Sequence, residues 1–283
     1  KRPPAKREES AQRSPDETAE PTMFEATLEK ALLLKKIVDA IKDLVTDANI
    51  EVTETGLSLQ AMDSSHVSLV SLQMNTHIFG HFRCDRPATL GINLPNFAKI
   101  LKCSGNEDSV TIKALDGGEL LTIAFESPGQ DRVSEFELKL MDIDSERLGI
   151  PEQEYVTNVK LGAGEFQRIV RDMGVLGDTC TVSITKEGIK FVVNGELGNG
   201  SITLRQTTSV DKEDDQVEVQ IEEPVELAFA LRYLNFFAKA TSLNSRVSIS
   251  MSPELPVVVS YNVGDDDGMG ALSFYLAPKI DDE

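Results

Sequence analysis

The clearest pattern of hydrophobic and polar positions in the chain predicts an amphipathic helix over residues 34–45, LKKIVDAIKDLV. At about 100° per residue, its aliphatic side chains fall on one arc and its charged side chains on the other. The aliphatic arc consists of Leu34, Ile37, Val38, Ala40, Ile41, Leu44 and Val45. The charged arc consists of Lys35, Lys36, Asp39, Lys42 and Asp43. One face is therefore predicted to pack on a core, while a face rich in lysine stays exposed.

Short runs of alternating apolar and polar residues occupy much of the remaining chain and predict β-strands. Examples are SVTIKA, EFELKL, CTVSIT, SITLRQ and VVVSYNV, and turn sequences such as LDGGE, KEG and NGELGNG separate such runs. Many strands with few helices predict an α+β fold, in which antiparallel sheet dominates and the helices pack on one face.

The sequence also contains an internal repeat. KIVDA at 36–40 returns as RIVRD at 168–172, and TETGLSL at 53–59 returns as TKEGIKF at 185–191, both offset by 132 residues. A further helix and strand recur with a slightly different offset. Since self-similarity of this kind indicates repeated units, we predict two similar domains rather than one large one.

The domain boundaries follow from breaks in the periodicity. We predict similar repeat units at residues 23–139 and 157–283, joined by an acidic connecting linker at 140–156. Residues 1–22 have little to bury and are predicted to form a disordered N-terminal extension. The KRPPAKR sequence in it is either a nuclear-localisation patch or an ordinary solvated tail.

Three further predicted helices, NFAKILK, EFQRIVRDM and LRYLNFFAK, also place basic residues opposite an apolar face. The basic residues of the four helices are Lys35, Lys36, Lys42, Lys99, Lys102, Arg168, Arg171, Arg232 and Lys239. Solvation alone explains one such helix. The chain has a net charge of −19, yet four helices each have a basic polar face. This favours a basic surface on an acidic protein, provided that the helices share one side of the sheet.

Composition excludes several other classes of protein. The chain has 283 residues and is 40% hydrophobic, so it can bury a substantial core. No apolar run is long enough to span a membrane, and no signal peptide is visible. Three widely spaced cysteines, Cys84, Cys103 and Cys180, do not suggest a disulfide framework.

Candidate catalytic and metal-binding motifs are weak. GELGNGS has Ser201 where a phosphate-binding loop needs lysine, and we interpret it as a hairpin turn. The DDDG stretch lacks the ligand spacing of a calcium loop, and His77 and His81 have no convincing companion ligands. No nucleophile and base occur in a recognisable motif. We therefore predict a protein that is not an enzyme and needs no cofactor or metal.

Several long strings then resemble one family closely. LQAMDSSHVSLV, RCDR, KLMDID, LGIPEQEY, GELGNG, FALRYLNFFAKAT and YLAPKI are similar to the eukaryotic DNA sliding clamps of the proliferating cell nuclear antigen family, and the likeness covers about residues 23–283. The resemblance implies a homotrimeric ring in the nucleus that encircles duplex DNA, with the basic helices lining the hole. It also implies a processivity factor for a replicative polymerase.

The resemblance further implies a pocket that binds a short partner peptide with one aliphatic and two aromatic anchors. The matching positions are Met62, His66, Val67, Leu69, Leu148, Ile150, Pro256, Tyr275, Ala277, Pro278 and Ile280. The partners implied are DNA polymerase delta, the clamp loader, flap endonuclease, DNA ligase and other proteins of replication, mismatch repair and translesion synthesis; no membrane partner is expected. Lys186 matches the family lysine that accepts ubiquitin and ubiquitin-like proteins.

Two structural expectations accompany the resemblance. The subunit interface is expected to join strands near residues 109–114 and 180–185, and the acidic insertion at 264–270 is expected near the pocket. Two alternative functions stay open at this point. One is a checkpoint-clamp subunit of a heterotrimeric ring, and the other is an acidic protein-binding scaffold that does not contact DNA.

Overall fold

The computed structural model describes residues 22–144, 154–207, 216–264 and 268–279. Its α-helices, within these ranges, are Ala31–Ile41 (α1), Leu94–Leu101 (α2), Ala163–Met173 (α3) and Leu231–Phe237 (α4). Single turns of 3-10 helix lie at Thr76–Ile78 and at Ala238–Ser242, directly after α4.

Strands make up most of both halves of the chain. The described strands of the first half are Thr22–Leu28 (β1), Asp47–Thr53 (β2), Gly56–Met62 (β3), Ser68–Asn75 (β4), His81–Cys84 (β5), Ala88–Asn93 (β6), Ser109–Leu115 (β7), Leu120–Glu126 (β8) and Val133–Lys139 (β9). Those of the second half are Thr157–Gly162 (β10), Thr179–Thr185 (β11), Gly188–Gly195 (β12), Gly198–Arg205 (β13), Glu218–Ile221 (β14), Val225–Ala230 (β15), Arg246–Met251 (β16), Val257–Asn262 (β17) and Gly270–Leu276 (β18).

The described strands form three antiparallel sheets. Their orders are β5-β1-β7-β8-β9, then β14-β10-β16-β17-β18-β4-β3-β2-β6, and β13-β12-β11-β15. The longest sheet crosses from one half of the chain to the other, because β18 pairs with β4 from Gly270 opposite Met74 to Leu276 opposite Ser68. The predicted α+β class, with antiparallel sheet in two similar halves, is confirmed.

The internal repeat is visible in the strand order. The first half contributes β5-β1-β7-β8-β9 and β4-β3-β2-β6, and the second half contributes β14-β10-β16-β17-β18 and β13-β12-β11-β15 in equivalent places. Gly56 and Gly188, which open the equivalent strands β3 and β12, have φ angles of 138° and 148°. A side chain is strained at such angles, so glycine suits both turns.

The helices form one continuous layer. Helix α1 buries Leu34, Ile37, Val38 and Ile41 against the core, as its periodicity predicts. It contacts α2, α4 and the 3-10 turn after α4, while α3 contacts α4 and the same turn. The helices therefore lie side by side, and their polar faces share one surface.

The prediction of which strands form the subunit interface is wrong. The segment 109–114 belongs to β7, which lies between β1 and β8, and the segment 180–185 belongs to β11, which lies between β12 and β15. A strand with neighbours on both sides has no backbone groups left for another chain. Among the described strands, β9 and β13 are the two longest that have a neighbour on one side only.

The predicted linker begins and ends on different halves. Met141 forms a bridge with Gly91, and the Asn49 amide donates to the Ile143 carbonyl at 2.9 Å. At the other end, the Val156 N–H donates to Ser252 Oγ at 2.9 Å. Residues 145–153 lie outside the described part of the chain, as do residues 1–21, so the linker and the disordered extension stay predictions. Strand β1 already begins at Thr22.

The expected position of the acidic insertion is wrong. The N–H of Asn75, at the end of β4, donates to the Met269 carbonyl at 2.8 Å, so the insertion joins β18 at the end where Gly270 faces Met74. The predicted pocket residue Tyr275 lies near the opposite end of this strand, about 16 Å away at 3.3 Å per residue. Residues 265–267 of the insertion lie outside the described ranges.

Candidate functional site: a basic helix layer and a cavity beside an apolar row

The nine predicted basic residues lie on the polar faces of the helix layer or directly after its helices. Lys99, Lys102, Arg168, Arg171, Arg232 and Lys239 are exposed, and Lys35, Lys36 and Lys42 are half-buried. The structure therefore brings together, on one surface, side chains that are far apart in the sequence.

Several of these cations have an acidic neighbour on the same surface. Arg168 pairs with Glu165 at 2.9 Å, and Arg171 pairs with Asp172 at 3.0 Å. Lys42 pairs with Asp39. The two arginine pairs are largely exposed, so each contributes little to stability, and the arginine can exchange its carboxylate for another anion. The layer keeps an excess of positive charge, and this charge is accessible to a polyanion.

Two of the predicted residues have more local roles. The Lys35 ammonium donates to the carbonyl of Ser104 at 2.7 Å and to that of Gly105 at 3.3 Å, so it holds the loop after α2. Lys36 lies on the wall of a cavity of about 430 Å³ between the two halves, with Leu33, Phe79 and Met269.

A row of larger side chains crosses the sheet on the face opposite the helices. Met62 of β3 lies opposite Leu69 of β4, and Leu69 lies opposite Tyr275 of β18. Their neighbours Ala61, Val70 and Phe274 point the other way, toward the core, because successive side chains in a strand alternate between faces. The row therefore spans the junction between the two halves.

Beside this row lies a cavity of about 460 Å³. Its walls come from β2, β3, the loop after β3, the beginning of β4 and the start of the predicted linker. The described residues that line it are Asp47, Ala48, Asn49, Gln60, Ala61, Met62, Asp63, Ser64, His66, Leu69, Ile143 and Asp144. The lining combines apolar residues, Met62, Leu69 and Ile143 among them, with several polar and acidic ones. A mixed lining of this kind can receive a peptide that has apolar anchors.

Asp63 organises the loop that carries His66. Its carboxylate accepts the backbone N–H groups of Ser65, Val67 and Ser68 at 3.0, 2.9 and 2.7 Å, and it accepts the Tyr233 hydroxyl at 2.9 Å. Burial acts to raise the pKa of Asp63, but these hydrogen bonds stabilise the charged form and hold its pKa below the usual value.

Most of the other predicted pocket residues lie next to the row. The Ala277 N–H donates to the Val67 carbonyl at 3.2 Å, which places the chain end that contains Pro278 beside the loop. The Tyr155 hydroxyl donates to the Pro256 carbonyl at 3.1 Å. Burial, together with the neighbouring Tyr275, raises the pKa of Tyr155 to about 12. Leu148, Ile150 and Ile280 lie outside the described residues.

Comparison with known families matches almost all of the chain outside the N-terminal segment. A model described as the N-terminal domain of proliferating cell nuclear antigen matches residues 23–147, and one described as its C-terminal domain matches residues 149–279. The chain belongs to the proliferating cell nuclear antigen family. As a member of this family it is a DNA sliding clamp, with a role in DNA replication and repair.

In this clamp Lys186 is exposed in the turn between β11 and β12, as predicted. The GELGNG sequence contains the turn between β12 and β13, at residues 196–197, which confirms the hairpin interpretation. Within the described ranges, no group of three or more His, Cys, Asp or Glu side chains is placed to hold a metal. No helix there is long and apolar enough to cross a membrane.

Sequence reasoning missed Asp63, Tyr155 and Tyr233. The Asp-Ser-Ser sequence at 63–65 is a signal for a turn in which the aspartate accepts nearby N–H groups, so Asp63 could have been found. Nothing local shows that Tyr233 of α4 reaches Asp63, because that contact joins the two halves of the chain.

Proposed function

We propose that the protein is a homotrimeric sliding clamp that encircles duplex DNA and serves as a processivity factor for a replicative polymerase. The observation that carries the proposal is the continuous helix layer, with nine basic side chains on a protein whose net charge is −19. Phosphates interact with such a layer without regard to sequence. Because the local ion pairs are exposed and weak, phosphates can replace the carboxylates as the ring moves.

The internal repeat supports ring formation. Strand β9 has the same place in the first half as β18 in the second, and β13 has the same place as β4. Strands β18 and β4 pair within the chain, whereas β9 and β13 have no such neighbour among the described strands. We infer that β9 of one subunit pairs with β13 of the next. A head-to-tail contact of this kind closes into a ring when its rotation permits.

The equivalence also predicts the register. Phe136 of β9 corresponds to Phe274 of β18, because Phe136 lies opposite Ile123 in the same way as Phe274 lies opposite Val259. Gly200 of β13 corresponds to Val70 of β4, because Gly200 lies opposite Val193 in the same way as Val70 lies opposite Ala61. Since Phe274 pairs with Val70, Phe136 of one subunit is expected opposite Gly200 of the next. Glu135 is then expected opposite Ser201.

The cavity beside the row of Met62, Leu69 and Tyr275 supports the second part of the proposal, a pocket for partner peptides. The anchors would contact this row, His66 and Val67, with Pro256, Ala277 and Pro278 beside them. Leu148, Ile150 and Ile280 are assigned to the same pocket by the family resemblance alone. Partners would be DNA polymerase delta, the clamp loader, flap endonuclease, DNA ligase and proteins of mismatch repair and translesion synthesis, in the nucleus.

Lys186 would be the site for ubiquitin-like conjugation, because it is exposed in a turn and no described contact restricts it. Replacing Lys186 with Arg keeps the charge and removes the acceptor. Damage-induced conjugation should then be lost, while ordinary replication continues.

The proposed ring is tested by a cysteine pair at Glu135 and Ser201, in a background in which the exposed Cys103 is replaced by Ser. Oxidation should give a covalent trimer, whereas the mismatched pair at Val133 and Ser201 should cross-link much less. Once loaded, the covalent ring should resist high salt on closed circular DNA and slide off linear DNA. A protein that stays monomeric at micromolar concentration would contradict the proposal and would favour a heterotrimeric ring.

A further inference from the structure

One hydrogen-bond chain joins the two halves of the molecule at the proposed peptide pocket. Tyr233 lies on α4 of the second half, and its hydroxyl donates to Asp63 Oδ2 of the first half at 2.9 Å. Both side chains are buried, with 5% and 6% of their surface exposed. A buried bond to a carboxylate is among the stronger hydrogen bonds in proteins.

The same hydroxyl also accepts a hydrogen bond. Nη2 of Arg232 lies 3.2 Å from the Tyr233 oxygen, and the Arg232 guanidinium lies 5.0 Å from the centre of the Tyr233 ring. Arg232 is exposed on the basic helix layer. Two hydrogen bonds therefore hold the Tyr233 hydroxyl in one orientation. One comes from Arg232 on the basic layer, and the other goes to Asp63 of the pocket loop.

The loop at the first end of this chain has a conformation that needs support. Asp63 accepts three backbone N–H groups of the loop, and His66 within it has a φ angle of 56°. A residue other than glycine at such an angle persists only where its surroundings hold it. His66, Ser64 and Met62 all line the cavity of about 460 Å³, so the shape of the cavity depends on the position of Asp63.

We propose that Tyr233 is a positioning residue for the peptide pocket. Its hydroxyl holds Asp63, and through Asp63 the loop at 63–68, in the arrangement that accepts the partner peptide. This inference rests on the proposed function, since it concerns the same pocket. Tyr233 does not line the described cavity, so its effect on peptide binding would pass through Asp63.

The expected effect follows from the population of the binding-competent loop. Without the Tyr233 hydroxyl, only a fraction of the molecules have the loop in this arrangement at any time. The apparent affinity for the peptide is then the intrinsic affinity multiplied by that fraction. We expect Tyr233→Phe to weaken the binding of a synthetic peptide with one aliphatic and two aromatic anchors by about three- to tenfold. The amides of Val67 and Ser68 should exchange their hydrogens faster, while those of β3 stay protected.

Tyr261→Phe is the matched control. Tyr261 is a fully buried tyrosine of the second half, and it packs edge-on against Phe274 at 6.4 Å. Loss of its hydroxyl removes the same atom from a buried site, without changing any hydrogen bond of the loop. Its peptide affinity and its exchange at Val67 and Ser68 should equal those of the wild type.

Asp63→Asn supplies a second variant, because it keeps the size of the side chain but removes the charge that its donors stabilise. Its loop exchange should be at least as fast as that of Tyr233→Phe. The inference is overturned if Tyr233→Phe keeps wild-type affinity or loop protection, or if Tyr261→Phe loses as much. A wild-type protein that does not bind the peptide would instead contradict the proposed function, whereas the exchange measurement still tests the contact itself.

Discussion

The junction between the two halves and the free edges of β9 and β13 are built from equivalent strands, yet their outer faces differ. At the internal junction, Met62, Leu69 and Tyr275 form an apolar row beside the cavity. The equivalent positions on β12, β13 and β9 are Asn194, Asn199 and Glu137. A ring built from this chain would therefore alternate between junctions with a peptide pocket and junctions without one. In such a ring, the divergence of the two repeats would restrict the proposed pocket to one kind of junction.

The inner faces of the two junctions differ as well, and the internal junction is again the more apolar of the two. Across the internal junction, Leu272 and Phe274 face Leu72 and Val70, and all four are buried. The equivalent pairs across the proposed interface would join Ser134 to Ile202 and Phe136 to Gly200. Less apolar surface is available there, which would suit an interface that the proposed clamp loader opens. The internal junction is instead part of a permanent core.

The largest effect is expected from breaking the internal junction. Phe274 is fully buried and stacks on Phe237 with 4.8 Å between ring centres. Phe274→Ala should lower the free energy of unfolding by about 3–5 kcal/mol, because it leaves a cavity in a packed core. Urea unfolding followed by circular dichroism measures this loss. A loss no greater than that of Phe136→Ala would mean that the two junctions do not differ as described.

Breaking the proposed interface should affect assembly more than folding. Phe136 is half-buried in the single chain and packs against Phe125 with 5.8 Å between ring centres. Phe136→Ala should weaken each contact between subunits by about 2–3 kcal/mol, as expected for an aromatic anchor at an interface. Sedimentation across a concentration series should show monomers where the wild type is trimeric. A stable trimer in this variant would place the interface elsewhere.

The sequence was sufficient for the fold class but not for the order of the strands. The repeat and the amphipathic helices predicted two similar halves with a basic layer, because these patterns are local or directly comparable. The edge strands were assigned from the resemblance and were misplaced. The alternating pattern of β7 and β11 could not reveal the error, because only long-range pairing shows which strands lie between two neighbours. The contact of Tyr233 with Asp63 was missed for the same reason, since it joins residues 170 positions apart.

The pocket should respond to a change on its own junction and not on the other. Tyr275→Ala should reduce the affinity for an anchor peptide by about 1–2 kcal/mol, or about 5- to 30-fold, because it removes part of the apolar row. Glu137→Ala, at the equivalent position of β9, is the matched control and should leave the affinity unchanged. Calorimetry with the trimeric proteins measures both. Equal effects of the two substitutions would show that the row does not define the pocket.

A charged contact gives the last difference between the two junctions. Within the chain, Lys239 of the second half pairs with Asp43 of the first at 2.6 Å. In the internal repeat, Asp43 corresponds to Val175, which is 68% exposed, and Lys239 corresponds to Lys102. If the proposed interface repeats the internal junction, Lys102 of one subunit faces Val175 of the next. The ion pair would then be present at one kind of junction and absent from the other.

Val175→Asp should therefore supply the missing ion pair and tighten the ring slightly. An exposed pair contributes about 0.2–1 kcal/mol, so we expect the trimer to dissociate at a concentration up to about fivefold lower than the wild type. The gain should be present at low ionic strength and vanish near 1 M salt, where the screening length falls to about 3 Å. Val175→Asn, which has nearly the same shape but no charge, should give no gain. Sedimentation at two salt concentrations measures all three proteins. A trimer no tighter than that of the asparagine variant at low salt would mean that Val175 and Lys102 do not meet across the interface, and that the ring does not repeat the geometry of the internal junction.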